Sequence, residues 1–476
     1  MNSLPTALIQ SLHNLKSFDE DAFKAVHAQG GQIVSIRVNP SKTGQRTMNY
    51  KLLERVPWSS NGYYLPERPS FTSDPVFHAG AYYVQEASSM FLEEALKQSI
   101  DLSQPIKVLD LCAAPGGKST LIQSVISKDS LLVSNEVIKT RVTILSENIT
   151  KWGAANVIVT NNDPKDLQRL ENYFDVIVVD APCSGSGLFR KDPEAISEWS
   201  ENNVQLCAQR QQRILADVMP ALKEGGVLIY STCSYSRQED EEIADWLIEQ
   251  FAVGSLQLVI WESWGIIETV SAKYNSFGYR FYPDKVKGEG FFIAAFKKGS
   301  AAESVYESKR HPSTPLRTST PLRTSTPFRT KKSTEKVTSK EAAVIRSFLS
   351  NAGDFIFIKQ QDDILAIPAN IADDLALLQS ALYIKKAGIK IGSIIRDELI
   401  PAHELAVSNF ISPSVTRFDV EKETALQYLR REEIKIDTEY KGWALLTYQQ
   451  FTIGWIKLLG NRINNYYPAA WRILNK

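Results

Sequence analysis

This chain of 476 residues has no excess of either charge, since Lys plus Arg and Asp plus Glu both total 54. Bulk positive charge, the simplest device for coating a polyanion, is therefore excluded, although local basic patches are not. Cysteine is scarce and scattered. Cys112, Cys183, Cys207 and Cys233 lie 71, 24 and 26 residues apart, with no Cys-x-x-Cys pair. That spacing offers neither a zinc cage nor a disulfide-stapled scaffold, so no metal is expected and a reducing cytoplasmic setting fits best. No stretch approaches the ~18 uncharged apolar residues of a membrane span. The opening segment MNSLPTALIQSLHNLK also lacks the charged-then-apolar pattern of a secretory signal, and no membrane partner is expected. What is present is the composition of an ordinary globular protein, 43% hydrophobic and 23% charged, at a length that calls for two or three domains.

The sharpest boundary is a hexapeptide repeat, STPLRT, STPLRT and STPFRT, running from Ser313 to Thr330. Pro every sixth residue blocks regular helix, and too little apolar surface is present to offset the entropy of ordering. Residues 301–340 hold nine Lys or Arg against three Glu and read as a flexible basic Ser/Thr/Pro linker. Upstream, five apolar runs alternate with helical patterns: IKVLDL, LLVSNE, NVIVTN, FDVIVVD and GGVLIYS. Runs of β-branched residues without polar alternation suit strands covered on both faces. The fold class expected for residues 101–300 is therefore α/β, doubly wound. Residues 1–100 form a small accessory unit, and residues 341–476, with strand-like DFIFIKQ, ILAIPA, WALLTYQ and FTIGWIKL, an α+β region.

The segment VLDLCAAPGGKST ends a strand at Asp110 and turns through Pro115, Gly116 and Gly117 into a helix near Lys118. Such a first strand-to-helix turn lies at the carboxyl edge of an open sheet, where glycines let backbone approach a ligand. Twenty residues after Gly116 the second strand ends in Glu136, which can accept hydrogen bonds from two ribose hydroxyls. The spacing fits an adenosine-binding unit. GGKST also mimics a P-loop, but the leading glycine of that motif falls on Cys112, and Pro115 replaces an amide donor.

Cys183 in DAPCSGSG and Cys233 in STCS each follow a predicted strand directly and face the ligand edge. Cys207 instead shares a helical stripe with Val204, Ile214, Leu215, Val218 and Leu222 and reads as a packing residue. No histidine lies between Cys112 and Cys233, which disfavours a Cys-His hydrolase. Two thiols beside an adenosyl cofactor suit a different chemistry. Carbon 5 of a pyrimidine is a weak nucleophile until a thiolate adds to carbon 6, and a second acid/base group near the adduct speeds the elimination that follows.

The set DLCAAPGGKS, Asn135-Glu136, DAPCSGSGLFRKDP and YSTCS, with HAGAYYVQEASSM ahead and GEGFFIAAF after it, resembles the RNA cytosine-C5 methyltransferases of the NOL1/NOP2/Sun family over about residues 78–296. The resemblance implies a Rossmann-like S-adenosylmethionine-dependent methyltransferase domain that forms 5-methylcytosine in RNA. It assigns the attacking thiol to Cys233 and the release helper to Cys183. It places the S-adenosyl-L-methionine contacts on Cys112, Ala113, Ala114, Pro115, Gly116, Gly117, Lys118, Glu136, Asp163 and Asp180, with Asp180 also able to bond the edge of a flipped base and Lys191 near the catalytic centre. The segment KGWALLTYQQFTIGWIKLLGNRINNYYPAAWRIL resembles the PUA-like module that ends bacterial ribosomal RNA methyltransferases of that family. Its Lys457, Arg462, Asn464, Asn465, Tyr466, Tyr467 and Arg472 mix cations, amides and rings in the manner of an RNA contact.

These readings imply a cytoplasmic, monomeric enzyme whose partner is ribosomal RNA, most naturally 16S RNA, free or within the small subunit or its precursor. Transfer RNA is the alternative substrate, and a non-catalytic ribosome-assembly factor the alternative of a different class. The accessory unit and the C-terminal region are both expected to bind RNA. A flexible linker further implies a catalytic domain that keeps its fold and cofactor affinity when the chain is cut after about residue 300.

Overall fold

The computed structural model of the protein describes residues 4–43, 52–299 and 335–474. The linker repeats lie outside them. A ten-stranded sheet forms the centre, made of β1 (Lys107–Asp110), β2 (Leu131–Asn135), β3 (Val157–Thr160), β4 (Phe174–Asp180), β5 (Leu222–Thr232), β6 (Val253–Leu256), β7 (Ile267–Val270), β8 (Phe277–Phe281), β9 (Phe291–Lys298) and β10 (Ile384–Ala387). The order is β7-β8-β9-β5-β4-β1-β2-β3-β10, with β6 pairing β9. β1 to β5 are parallel neighbours, and β9 runs antiparallel to β5 and β8.

The five apolar runs read from the sequence are β1 to β5. Val108, Leu109, Leu132, Val133, Ile158, Ile177, Val178, Leu228 and Ile229 are all buried, one set of side chains on each face, as a sheet covered twice requires. Helices α1 (Gly117–Val125), α2 (Lys139–Trp152) and α3 (Glu201–Val218) make the crossovers, and α4 (Glu241–Gln250) follows β5. Ser200 starts α3 by accepting from Asn203 N at 3.1 Å, a side-chain cap on an otherwise unpaired amide. Cys207 is buried on α3 with Val204, Ile214, Leu215 and Val218, whereas Leu222 lies beyond the helix and opens β5. Because β1 sits between β2 and β4, the strand order reverses there, and in an open parallel sheet the ligand crevice lies outside the carboxyl ends of the two strands at such a point, here β1 and β4.

Residues 4–99 supply the helices Thr6–Leu12, Glu20–Gln29 and Leu92–Ser99, two single turns at Pro40–Thr43 and Pro75–His78, and a three-stranded antiparallel sheet of Val34–Val38, Gly62–Leu65 and Tyr82–Val84. Leu8, Ile9, Leu12 and Phe23 pack against Phe189, Tyr235 and Tyr282 of the central unit. Beyond the Ser/Thr/Pro repeats, a five-stranded sheet (Glu335–Lys336, Phe355–Gln360, Asp363–Pro368, Ile389–Ile395, Glu398–Pro401) precedes a four-stranded one (Arg417–Asp419, Gly442–Tyr448, Phe451–Leu458, Ile463–Asn465). The linker expected to run to residue 340 therefore ends before Glu335, which pairs with Lys359, and Thr338 already caps the helix Ser339–Arg346. The strand-like runs read in this region fall on four of these strands. No helix among the described residues is long and apolar enough to cross a membrane.

The expectation of a freely tethered C-terminal region is overturned. β10 belongs to that region yet adds to the central sheet, with Ile384 opposite Thr160 and Ala387 opposite Ile158. The helix Ala372–Ala381 before it sends Leu375 and Leu378, with Ile371 and Leu382, into one core with Leu109, Ile158, Leu167 and Leu170. Tyr173 donates to Asp374 Oδ1 at 2.6 Å, and Lys107 Nζ stands 2.6 Å from the same oxygen. The physical reason is that β3 is otherwise an edge strand with an apolar flank, and such an edge is stabilised by pairing and cover. The four-stranded sheet is fastened as well, since Ile36 and Val76 of the N-terminal unit share a core with Tyr428 and Ile456.

Candidate active site

The crevice is built from strand ends. β1 delivers Asp110, fully buried, whose Oδ2 accepts from Ser119 Oγ at 2.6 Å while Oδ1 has no hydrogen-bond partner. Burial pushes this carboxyl up to about 7, against the pull of the Ser119 hydrogen bond. The loop from Cys112 to Lys118 then turns on Gly116, whose φ of +118° opens α1 in a conformation that favours glycine. Ala113 N donates to Asn135 O at 2.8 Å, and Asn135 Nδ2 donates to Leu111 O at 3.2 Å, so the end of β2 holds the loop. Burial raises the Cys112 thiol, helped by the Asp110, Asp180 and Glu136 charges, which keeps it protonated.

Glu136, buried at the end of β2, accepts from Ile138 N at 2.9 Å through Oε1; its Oε2 has no hydrogen bond, with Arg141 Nη1 at 3.5 Å. Asp110 and Glu136, buried at neighbouring strand ends, thus each keep one carboxylate oxygen without a hydrogen bond. Unpaired buried acceptors are costly, and a ligand carrying hydroxyls or a cationic amine meets that need. At the end of β4, Asp180 accepts from Ser231 Oγ at 2.8 Å, and Lys118 Nζ lies 2.8 Å from its other oxygen. Lys118 and Asp180, both expected at the cofactor, are brought together. Asp163 is exposed, and its Oδ1 accepts from Lys165 N at 3.1 Å, capping the turn Pro164–Arg169. Lys191 is likewise exposed.

Cys183 and Cys233, fifty residues apart, meet with Sγ–Sγ at 2.9 Å. Two loop-to-loop bonds fix the approach: Gly187 N donates to Cys233 O at 2.9 Å, and Tyr235 N to Ser186 Oγ at 2.9 Å. The first requires glycine, because a Cβ on residue 187 would stand 2.5 Å from Gly290 O and 2.8 Å from Cys233 O. The Cys183 thiol is raised well above its ordinary value, chiefly by its hydrogen bond with Cys233 and then by burial.

Sequence reasoning missed Arg37, from the N-terminal sheet. Its buried guanidinium donates to Thr120 Oγ1 at 2.6 Å, Gly117 O at 3.3 Å, Ser124 Oγ at 3.0 Å and Gln85 Oε1 at 2.9 Å, and lies 4.6 Å over the Trp152 ring. The accessory unit therefore grips the helix of the glycine loop. An Arg in an alternating strand carries no local signal of such a contact. Of the seven C-terminal residues read as an RNA contact, Tyr467 is buried and Asn465 Nδ2 is spent on Tyr428 O at 2.8 Å. Arg462, Tyr466 and Arg472 are exposed and Asn464 partly so, while Lys457 lies 5.1 Å over the Trp443 ring.

Three family descriptions match the chain: 16S rRNA methyltransferase RsmB/F over residues 98–297, the N-terminal domain of 16S rRNA methyltransferase RsmF over 4–87, and the methyltransferase RsmF PUA domain over 415–473. The ribosomal RNA small subunit methyltransferase F of Aliivibrio fischeri strain ES114 is 30% identical over 91% of this chain and 90% of its own length. That of Shewanella loihica is 29% identical over 91% and 88%. Among solved structures, NSun6 from Pyrococcus horikoshii shares the fold, with a TM-score of 0.51 and 20% identity over 63% of this chain and 99% of that one. A methyltransferase sheet, an open glycine crevice and a thiol pair therefore stand in a chain that matches its relatives along nearly their whole length, and it belongs to the ribosomal RNA small subunit methyltransferase F family.

Proposed function

We propose that this protein methylates carbon 5 of a cytosine in small-subunit ribosomal RNA, using S-adenosyl-L-methionine and a covalent adduct on Cys233. The observation that carries the reading is the Cys183–Cys233 pair, 2.9 Å apart beside the crevice that Asp180 lines. The names of the relatives supply the RNA class. S-adenosylmethionine, when bound, supplies a methyl group on a positively charged sulfur.

The loop Cys112 to Lys118 holds the cofactor, with Glu136 taking the ribose hydroxyls on Oε2, which makes no hydrogen bond, Asp110 buried behind the loop, and Asp163 and Asp180 completing the acidic rim. Cys233 adds as a thiolate to carbon 6 and turns carbon 5 into an enamine carbon. Once carbon 5 carries the methyl group, release breaks its C–H bond and the Sγ–carbon-6 bond. The carbon-5 proton passes to water, the bond's electrons restore the ring double bond, and Cys233 leaves as a thiolate that accepts a hydrogen bond from the Cys183 thiol, 2.9 Å away. Asp180, fixed by Ser231 and Lys118, accepts from the exocyclic amine of the flipped base. Arg462, Asn464, Tyr466 and Arg472 give the C-terminal sheet an RNA-facing edge, in which cations neutralise phosphate and the ring stacks an unpaired base.

Bisulfite sequencing of ribosomal and transfer RNA from a deletion strain tests the whole reading. One 16S cytosine should lose its mark and regain it on complementation. Loss confined to transfer RNA, or no loss at all, would overturn it. The cofactor assignment has its own test. Glu136→Ala removes the acceptor for the ribose, which should weaken S-adenosylhomocysteine binding by about 1–3 kcal/mol in calorimetry. Unchanged affinity would return Glu136 to the status of a strand-end acid.

A further inference from the structure

Behind the thiol pair lies a carboxylate that neither the sequence motifs nor the reaction scheme employs. Glu239, in the short turn before α4, is fully buried. Its Oε1 accepts from Ser184 N at 2.8 Å and from Gln211 Nε2 at 3.0 Å; its Oε2 accepts from Ser184 Oγ at 2.5 Å and from Ser234 Oγ at 2.7 Å. Ser184 follows Cys183 and Ser234 follows Cys233, so one side chain grips both cysteine loops at the residue next to each thiol. Gln211, reaching from α3, also donates to Pro182 O at 3.1 Å and accepts from Tyr230 OH at 3.0 Å, and that hydroxyl lies 2.6 Å from Glu239 O. The network is closed: each of its donors ends on an acceptor within it.

The partners define the state of the group. The Ser184 N–H and the Gln211 Nε2 group that face Oε1 can only donate, while the Ser184 and Ser234 hydroxyls that face Oε2 can donate or accept; a carboxylate takes all four as they stand, an amide keeps them only if both hydroxyls reverse, and a methyl keeps none. Burial raises the Glu239 carboxyl and the four donors draw it back. Buried, fully connected networks of this kind fix geometry more sharply than apolar packing does.

We propose that Glu239 is a positioning residue that holds the Cys183 and Cys233 loops in register and so sets the separation of the two thiols. The proposal rests on the reading of Cys233 as nucleophile and Cys183 as release helper for its functional consequence, though not for its geometric one. Glu239 makes and breaks no bond. Without it the Ser184 amide and the Ser234 hydroxyl lose their common acceptor, each loop relaxes toward its own minimum, and a displacement of about 1 Å between reacting groups costs on the order of 10²-fold.

Two readouts on the full chain test this. Phenylarsine oxide bridges neighbouring thiols, and peptide mapping by mass spectrometry scores the Cys183–Cys233 crosslink apart from Cys112 and Cys207. In folded Glu239→Ala protein the crosslinking rate should fall about 10-fold or more, Glu239→Gln should lie between it and wild type, and the RNA adduct should still form but decay ~10- to 100-fold more slowly. Loss of stability alone would lower the melting temperature and leave the crosslinking rate of the folded protein unmoved. Should Glu239→Ala not fold, Ser234→Ala removes one donor and must shift the crosslinking rate in the same direction by a smaller factor. Crosslinking at the wild-type rate in the folded variants overturns the proposal. A crosslink that falls as expected while Cys183→Ala itself shows no slow release leaves Glu239 as the positioning residue and overturns the helper role of Cys183 instead.

Discussion

Cys233→Ala should abolish methyl transfer to RNA, by on the order of 10⁴-fold or more, and should form no covalent RNA adduct. Cys183→Ala should behave differently: attack and methyl transfer proceed, release slows by about 10²- to 10⁴-fold, and a protein–RNA band accumulates on denaturing gels. The asymmetry follows from the family resemblance, which gives attack to the cysteine of the Thr-Cys motif and release to that of the Pro-Cys motif. Both sulfurs occupy one place, 2.9 Å apart, so either could reach the base, but the raised Cys183 thiol suits a group that keeps its proton until the adduct collapses. A stable band in Cys233→Ala and none in Cys183→Ala would reverse the assignment. Both variants should bind S-adenosylhomocysteine as the wild type does, because neither thiol lines the loop Cys112 to Lys118.

Ending the chain at residue 300 should cost the catalytic unit its fold, not merely its RNA affinity. The cut removes Ile371, Leu375, Leu378 and Leu382 from a core they share with Leu109 and Ile158. At roughly 1.5–3 kcal/mol for each buried side chain, the loss rivals the 5–15 kcal/mol by which a typical protein is stable. It also strips β10 from β3 and breaks a chain of bonds to the cofactor crevice. Tyr383 N donates to Asn162 Oδ1 at 2.9 Å, Asn162 N donates to Asn135 Oδ1 at 3.1 Å, and Asn135 O accepts from Ala113 N at 2.8 Å in the glycine loop. The truncated chain should therefore melt without a cooperative transition or well below the full chain, and bind S-adenosylhomocysteine at least about 10-fold more weakly. A native-like melt with affinity within a factor of two would show that the C-terminal region is a tether after all.

The sequence by itself determined the chemistry-bearing core. Strands β1 to β5 were legible because a sheet covered on both faces must be written in unbroken apolar runs, and that pattern is local. Asp110, Glu136, Asp180, Cys183 and Cys233 were legible as strand-end residues, because the carboxyl edge of a parallel sheet is fixed once strand order and crossover hand are fixed. Tertiary structure alone decided what those residues meet. Cys183 and Cys233 come within 2.9 Å because β4 and β5 are neighbours and their loops are tied by Gly187 N to Cys233 O, by Tyr235 N to Ser186 Oγ and through Glu239, and no spacing along the chain encodes that. Arg37 reaches the glycine helix from eighty residues upstream of Gly117, in a strand where its partners give no periodic signal. β10 was invisible for a further reason. Four residues, Ile384 to Ala387, are too short to carry a pattern, and they form a strand because β3 offers an unpaired edge beside them. The Ser/Thr/Pro repeat lies outside the described residues, and its composition says nothing of the segment beyond it, whose docking depends on complementary surfaces that meet only in the folded chain.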